Sequence, residues 1–88
     1  MVKRSRLEIS FEILQVILRG TSKPTRIMYA VNLSWNTLQE YLTSLLENDF
    51  ITEEQFKSSK RYNITEKGEN ALSYYLKAVD ELAYTLKT

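Results

Sequence analysis

Three residues, Asn32-Leu33-Ser34, interrupt two stretches of helical periodicity and restrict how those stretches can meet. Asparagine tolerates a left-handed C-terminal position, leucine can fill the angle, and serine caps the next helix. Helices joined by so short a turn have the outline of a helix-turn-helix. Before the break, Ser22 and Pro24 start a short helix, proline being tolerated in a first turn. Ile27, Met28, Ala30 and Val31 are its expected buried side. After the break a helix is expected from about Trp35 to Asn48. At about 100° per residue, Trp35, Leu38, Leu42, Leu45 and Leu46 share one face. Asn36, Thr37, Glu40, Thr43, Ser44 and Glu47 occupy the other.

The flanking segments extend this outline. Ser5-x-x-Glu8 is a capping box, in which serine and glutamate satisfy each other's orphan backbone donors. Leu7, Phe11, Leu14, Ile17 and Leu18 fall on one face of the helix it opens, with Ile9, Ile13 and Val16 in a row beside it. Gly20 ends that helix. Downstream, Phe50–Glu54 and Arg61–Ile64 read as two short strands around a polar loop, Gln55–Lys60. A hairpin directly after a helix-turn-helix is a wing. With two glycines and one proline in 88 residues, helix should dominate elsewhere. The expected fold is mainly α with a small β-hairpin (α+β): a winged helix-turn-helix.

Thr65 caps a last helix that runs to Thr88, with Gly68 weakening its first turns by about 1 kcal/mol relative to alanine. Leu72, Tyr75, Val79, Leu82 and Leu86 then fall at heptad spacing, widened by Ala71, Leu76, Ala78 and Ala83. At roughly 33 Å this helix outruns so small a domain. An apolar stripe left exposed in this way most simply meets a second copy. The chain therefore divides into a winged-helix domain over residues 1–65 and a C-terminal helix over 66–88. The expected dimer contacts are Leu72, Tyr75, Leu76, Val79, Leu82, Ala83 and Leu86.

Charge is segmented. Residues 1–26 carry six bases and two acids, residues 27–56 five acids and no base, and residues 57–67 four bases and one acid. Two basic segments flanking an acidic middle form either a solvated surface or a divided phosphate-contacting footprint, according to how folding places them. The absence of cysteine and histidine removes disulfides, thiolate sites and the commonest metal ligand and general base. Glu53 and Glu54 are adjacent on a strand, point to opposite faces, and cannot form an acid–base pair. No catalytic residue, metal, cofactor or small-molecule substrate is expected, and the chain is not expected to be an enzyme. No apolar run approaches a membrane span. The basic start, Lys3, Arg4 and Arg6, leads into an amphipathic pattern instead of a signal peptide. The expected location is the cytoplasm, at the nucleoid, with no membrane partner.

Two segments, Lys23-Pro-Thr-Arg-Ile-Met-Tyr-Ala-Val-Asn-Leu-Ser34 and Tyr62-Asn-Ile-Thr-Glu-Lys-Gly-Glu69, resemble the Sulfolobus 10a family of archaeal DNA-binding proteins. The resemblance extends over nearly the whole chain. It implies a winged helix, an antiparallel coiled-coil-like pairing of C-terminal helices in a homodimer, and nucleoid-associated binding of double-stranded DNA. This chain departs from the family in having no Lys or Arg on its third helix and a short terminal helix.

The DNA-facing residues expected from this order are Lys23, Thr25, Arg26, Ser34, Trp35, Asn36, Thr37, Glu40, Lys57, Lys60 and Arg61. Basic side chains at a helix N-terminus and on a wing hold phosphates, and asparagine can pair with adenine. Glu40 repels phosphate unless it reads a cytosine amino group. Trp35 either packs inward or offers its indole edge to DNA. Two other functions remain open: a sequence-specific regulator of an archaeal virus or plasmid, and a winged-helix interaction module that does not bind DNA.

Overall fold

The computed structural model describes residues 4–87 and contains six elements: α1 (Arg6–Leu18), α2 (Pro24–Val31), α3 (Trp35–Glu47), β1 (Ile51–Phe56), β2 (Ser59–Ile64) and α4 (Glu66–Lys87). Lys3 lies outside the described residues. The Ser5 hydroxyl accepts from the Glu8 N–H at 3.0 Å, and the Glu8 carboxylate accepts from the Ser5 N–H at 3.1 Å. Gly20 lies just past α1 at φ +106°, where the Thr21 N–H can return to the Val16 carbonyl at 3.0 Å. α2 starts at Pro24 as expected, but Lys23 is its N-cap and makes no side-chain capping bond. Asn32 stands at φ 55°, and Ser34 caps α3 by accepting from the Thr37 N–H at 3.3 Å. The helix-turn-helix is thus built by the residues that signal it.

Ile13, Leu14 and Ile17 of α1, Ile27 and Val31 of α2, and Leu38, Tyr41, Leu42 and Leu45 of α3 form the core. Ile51, Tyr62 and Leu72 complete it from the strands and α4. Ala30, expected to point inward, is exposed, and Trp35, for which the sequence leaves both directions open, is 45% exposed. Tyr41 is buried instead, with the Arg6 guanidinium 5.3 Å from its ring centroid. Leu7 and Leu18 of α1 are also exposed.

The wing is longer than its sequence suggests. Pairing runs from Ile51↔Ile64 to Phe56↔Ser59, so Gln55, Phe56, Ser59 and Lys60 are ladder residues and only Lys57-Ser58 turns. Lys57 takes φ 56°, a conformation that hairpins usually assign to Gly, Asn or Asp. Without such a marker, the turn looks like a longer polar loop.

α4 is fastened at its start and exposed further on. The Thr65 hydroxyl accepts from the Gly68 N–H at 3.0 Å and approaches the Asp49 and Phe50 carbonyls at 2.7 and 3.0 Å. Lys67 donates to the Asn48 carbonyl at 2.7 Å. Gly68 is required here by close approach, since a Cβ would stand 2.2 Å from the Phe50 carbonyl oxygen. Leu72 is 2% exposed, and Tyr75 stacks on Phe11 with centroids 4.0 Å apart. Both therefore pack within their own chain, and the open part of the heptad stripe starts at Leu76. Leu76, Val79, Leu82, Ala83 and Leu86 are all exposed, Leu82 at 63% and Leu86 at 85%. This projection fits the 52 × 31 × 21 Å extent of the molecule. Among the described residues, no helix is long and apolar enough to cross a membrane.

Candidate nucleic-acid interface

The exposed face of α3 begins at its cap. Ser34 donates to the Thr37 hydroxyl at 2.9 Å while accepting from the Thr37 N–H, so both side chains help build the helix end. Asn36 and Glu40 are exposed and make no side-chain hydrogen bond among the described residues. They are the polar groups that α3 leaves open in its first two turns. Trp35 and Gln39 lie toward the wing side.

Folding brings the two basic segments together. The Tyr62 N–H donates to the Ser22 carbonyl at 3.0 Å, tying β2 to the loop before α2. Lys23 consequently lines two depressions. One is a groove shared with Pro24, Thr25, Trp35, Gln39, Ser59, Lys60 and Tyr62. The other is a polar crevice shared with Gly20, Thr21, Ser22, Arg26 and Arg61. The first basic block is not used whole, however. Arg4 pairs with Glu12 and reaches the Asn32 carbonyl at 3.4 Å, and Arg6 covers Tyr41.

Strand alternation sets the two cations of β2 apart. Lys60 shares a sheet face with Tyr62 and Glu53, whereas Arg61 shares the other with Phe56. The Arg61 guanidinium sits 4.7 Å from the Phe56 ring centroid, and its Nε is buried without a hydrogen-bond partner. Lys57 approaches the same ring at 6.0 Å. Lys60 Nζ lies 3.6 Å from one Glu53 oxygen, while the other accepts from the Tyr62 hydroxyl at 3.1 Å. Burial, then the Glu53 charge and this hydrogen bond, push the Tyr62 pKa up to about 12, so Tyr62 remains a protonated donor at neutral pH. Glu54 points away from Glu53 and accepts from Asn63 at 3.3 Å. Glu53 is therefore more than exposed strand charge, because it anchors Tyr62 and partly neutralises Lys60.

Of the expected DNA-facing residues, Lys23, Thr25, Trp35 and Lys60 border the groove, and Arg26 and Arg61 border the crevice. Ser34, Asn36, Thr37 and Glu40 lie along the start of α3, and Lys57 lies at the wing tip. Tyr62 and Glu53 join this surface without having been expected there. Their signal in the sequence is the period-two alternation that places Lys60, Tyr62 and Ile64 on one face.

A family model described as a winged helix-turn-helix matches residues 3–83. The protein MJ0287 of Methanocaldococcus jannaschii is 41% identical over 71 residues, which are 81% of this chain and 69% of that protein. Sso10a-2, a DNA-binding protein from Sulfolobus solfataricus, has a similar structure, with a TM-score of 0.75 at 25% identity. That match covers 96% of this chain and 90% of the Sso10a-2 chain. Staphylococcus aureus MarR, solved with salicylate and kanamycin, gives a TM-score of 0.77 at 26% identity, covering 90% of this chain but 57% of its own.

Proposed function

Because the chain belongs to the winged helix-turn-helix family and is Sso10a-like, we propose that it is a homodimeric double-stranded DNA-binding protein. Its role is nucleoid-associated or transcription-regulating, in an archaeal cytoplasm, and its work is binding, not catalysis. The observation that carries this reading is the position of Lys23, which lines both a groove with Lys60 beside α3 and a crevice with Arg26 and Arg61. Sso10a-2, a DNA-binding protein of the same shape, supports it.

In this reading the start of α3 enters the major groove, and the N-terminus of α2 and the wing hold phosphates on either side. α3 carries no cation, so most affinity comes from Lys23, Arg26, Lys57, Lys60 and Arg61. The exposed stripe from Leu76 to Leu86 pairs with the same stripe of a second copy.

One feature favours a sequence-reading regulator within this function. Of the open side chains of α3, the Asn36 amide discriminates bases better than it holds phosphates, while the Glu40 carboxylate repels phosphate. Two substitutions test the division of labour by fluorescence anisotropy on a random duplex and a selected site. Glu40→Gln should tighten both complexes, because it removes a charge that repels phosphate. Asn36→Ala should leave the random duplex nearly unchanged and weaken the selected site by about 1–3 kcal/mol. Weaker binding by Glu40→Gln would mean that the carboxylate makes a favourable base contact.

A further inference from the structure

We propose that Phe56, at the tip of the wing, is an apolar wedge that enters the minor groove of a duplex and partly unstacks one base step. The inference rests on the DNA-binding reading above and adds to it a preference for a deformable step, outside the bases that α3 faces.

Phe56 is the last residue of β1 and is 49% exposed. It belongs neither to the core nor to the half-buried side chains packed against it. A single exposed apolar side chain needs no explanation by itself, but the way this one is held does. The turn that follows it has two residues, and its backbone is braced from both strands. The Gln55 side chain donates to the Lys57 carbonyl at 3.3 Å, and the Ser59 hydroxyl donates to the Phe56 carbonyl at 3.1 Å. The ring is flanked by the Arg61 guanidinium at 4.7 Å and the Lys57 ammonium at 6.0 Å from its centroid. Phe56 is therefore presented on a narrow, braced tip, which lowers the ordering cost of any contact it makes.

Charge identifies the partner. Residues 55–61 carry three bases and no acid. Strand alternation sends Arg61 to the Phe56 face and Lys60 to the other, with Lys57 in the turn between them. Glu53 lies 3.6 Å from Lys60, so the Phe56 face carries the stronger charge. A thin hairpin with cations on both faces and an apolar ring at its end complements a cleft walled by phosphates and floored by stacked bases. The minor groove, about 6 Å wide, is such a cleft. Its base edges offer only a degenerate hydrogen-bond pattern, so a ring without polar atoms forfeits little by entering. Apolar wedges of this kind unstack a step at a cost of about a few kcal/mol, least at pyrimidine–purine steps. The cations beside the ring hold the backbone while that cost is met.

A fluorescent adenine analogue that brightens on unstacking, placed at successive steps of the selected site, reports the wedge. The wild-type protein should brighten it at a step flanking the bases that α3 faces. Phe56→Leu should keep the signal and Phe56→Ala should abolish it, with circular dichroism showing both variants folded. Replacing a pyrimidine–purine step there by adenine–adenine should weaken the wild type about tenfold and Phe56→Ala by less than about twofold. The log–log salt slope of Phe56→Ala should stay within about 0.9 of the wild type, because no phosphate contact is removed. A signal that survives Phe56→Ala overturns the wedge. So does a larger fall in slope, which would mean that the ring only holds Arg61 in place. Duplex binding without brightening at any step overturns the wedge alone, whereas failure to bind any duplex overturns the DNA-binding reading and the wedge with it.

Discussion

At Gly68 the helix propensity and the tertiary contact have opposite signs. Alanine normally stabilises a helix interior by about 1 kcal/mol relative to glycine. Here the added Cβ would meet the Phe50 carbonyl oxygen at 2.2 Å, and α4 is bolted to that turn by Thr65 and Lys67. Gly68→Ala is therefore expected to destabilise the protein by about 1–3 kcal/mol, seen as a lower urea midpoint. A higher midpoint would mean that α4 lifts away at no cost. Tyr62 gives a second test. Unfolded tyrosine ionises near pH 10, whereas folded Tyr62 keeps its proton to about 12. Across that window the unfolded state binds fewer protons, so stability present below pH 10 declines as pH rises. The loss should approach about 2 kcal/mol and be absent in Tyr62→Phe. Equal slopes for Tyr62→Phe and the wild type would contradict the Glu53–Tyr62 contact. Neither role is fully legible from sequence. A helical glycine looks like a weakness until its neighbour is placed, and strand alternation groups Tyr62 with Lys60 and Ile64 without naming its contact to Glu53.

The elements themselves are legible wherever a cap or a turn marks them. Ser5-x-x-Glu8, Gly20, Pro24 and Asn32-Leu33-Ser34 each set a boundary by local hydrogen bonding or backbone geometry, which needs no tertiary information. The wing reads short in sequence because Lys57 occupies its left-handed turn position without the usual residue type. The heptad pattern of α4 is continuous in sequence but divides in space. Its first positions, Leu72 and Tyr75, are covered by their own chain, and the exposed positions begin at Leu76. Periodicity gives the face of a helix but not what covers it. If the exposed part makes the dimer, Leu82→Lys with Leu86→Lys should yield a folded monomer, since neither side chain contributes to the core. Sedimentation equilibrium together with circular dichroism checks both halves of that statement. A wild-type protein that is monomeric at high micromolar concentration would contradict it.

For the molecule as a whole, the net charge of +1 conceals the feature that matters. The basic segments are separated by an acid-only stretch, and folding joins them through the Tyr62–Ser22 backbone bond. Sequence shows the segments but not the bond, and it counts Arg4 and Arg6 with a patch from which Glu12, Asn32 and Tyr41 withdraw them. The remaining cations form a small footprint, so binding should be weak for any one chain and strongly dependent on salt. A salt titration of binding to a random duplex, monitored by fluorescence anisotropy over roughly 50–200 mM, tests this most directly. Replacing Lys57, Lys60 and Arg61 by glutamine should make the log–log affinity slope shallower, by about 0.9 for each phosphate no longer neutralised. Failure of the wild-type protein to bind at the lowest salt, or a slope unchanged by those three replacements, would contradict a DNA-binding face built from α2 and the wing.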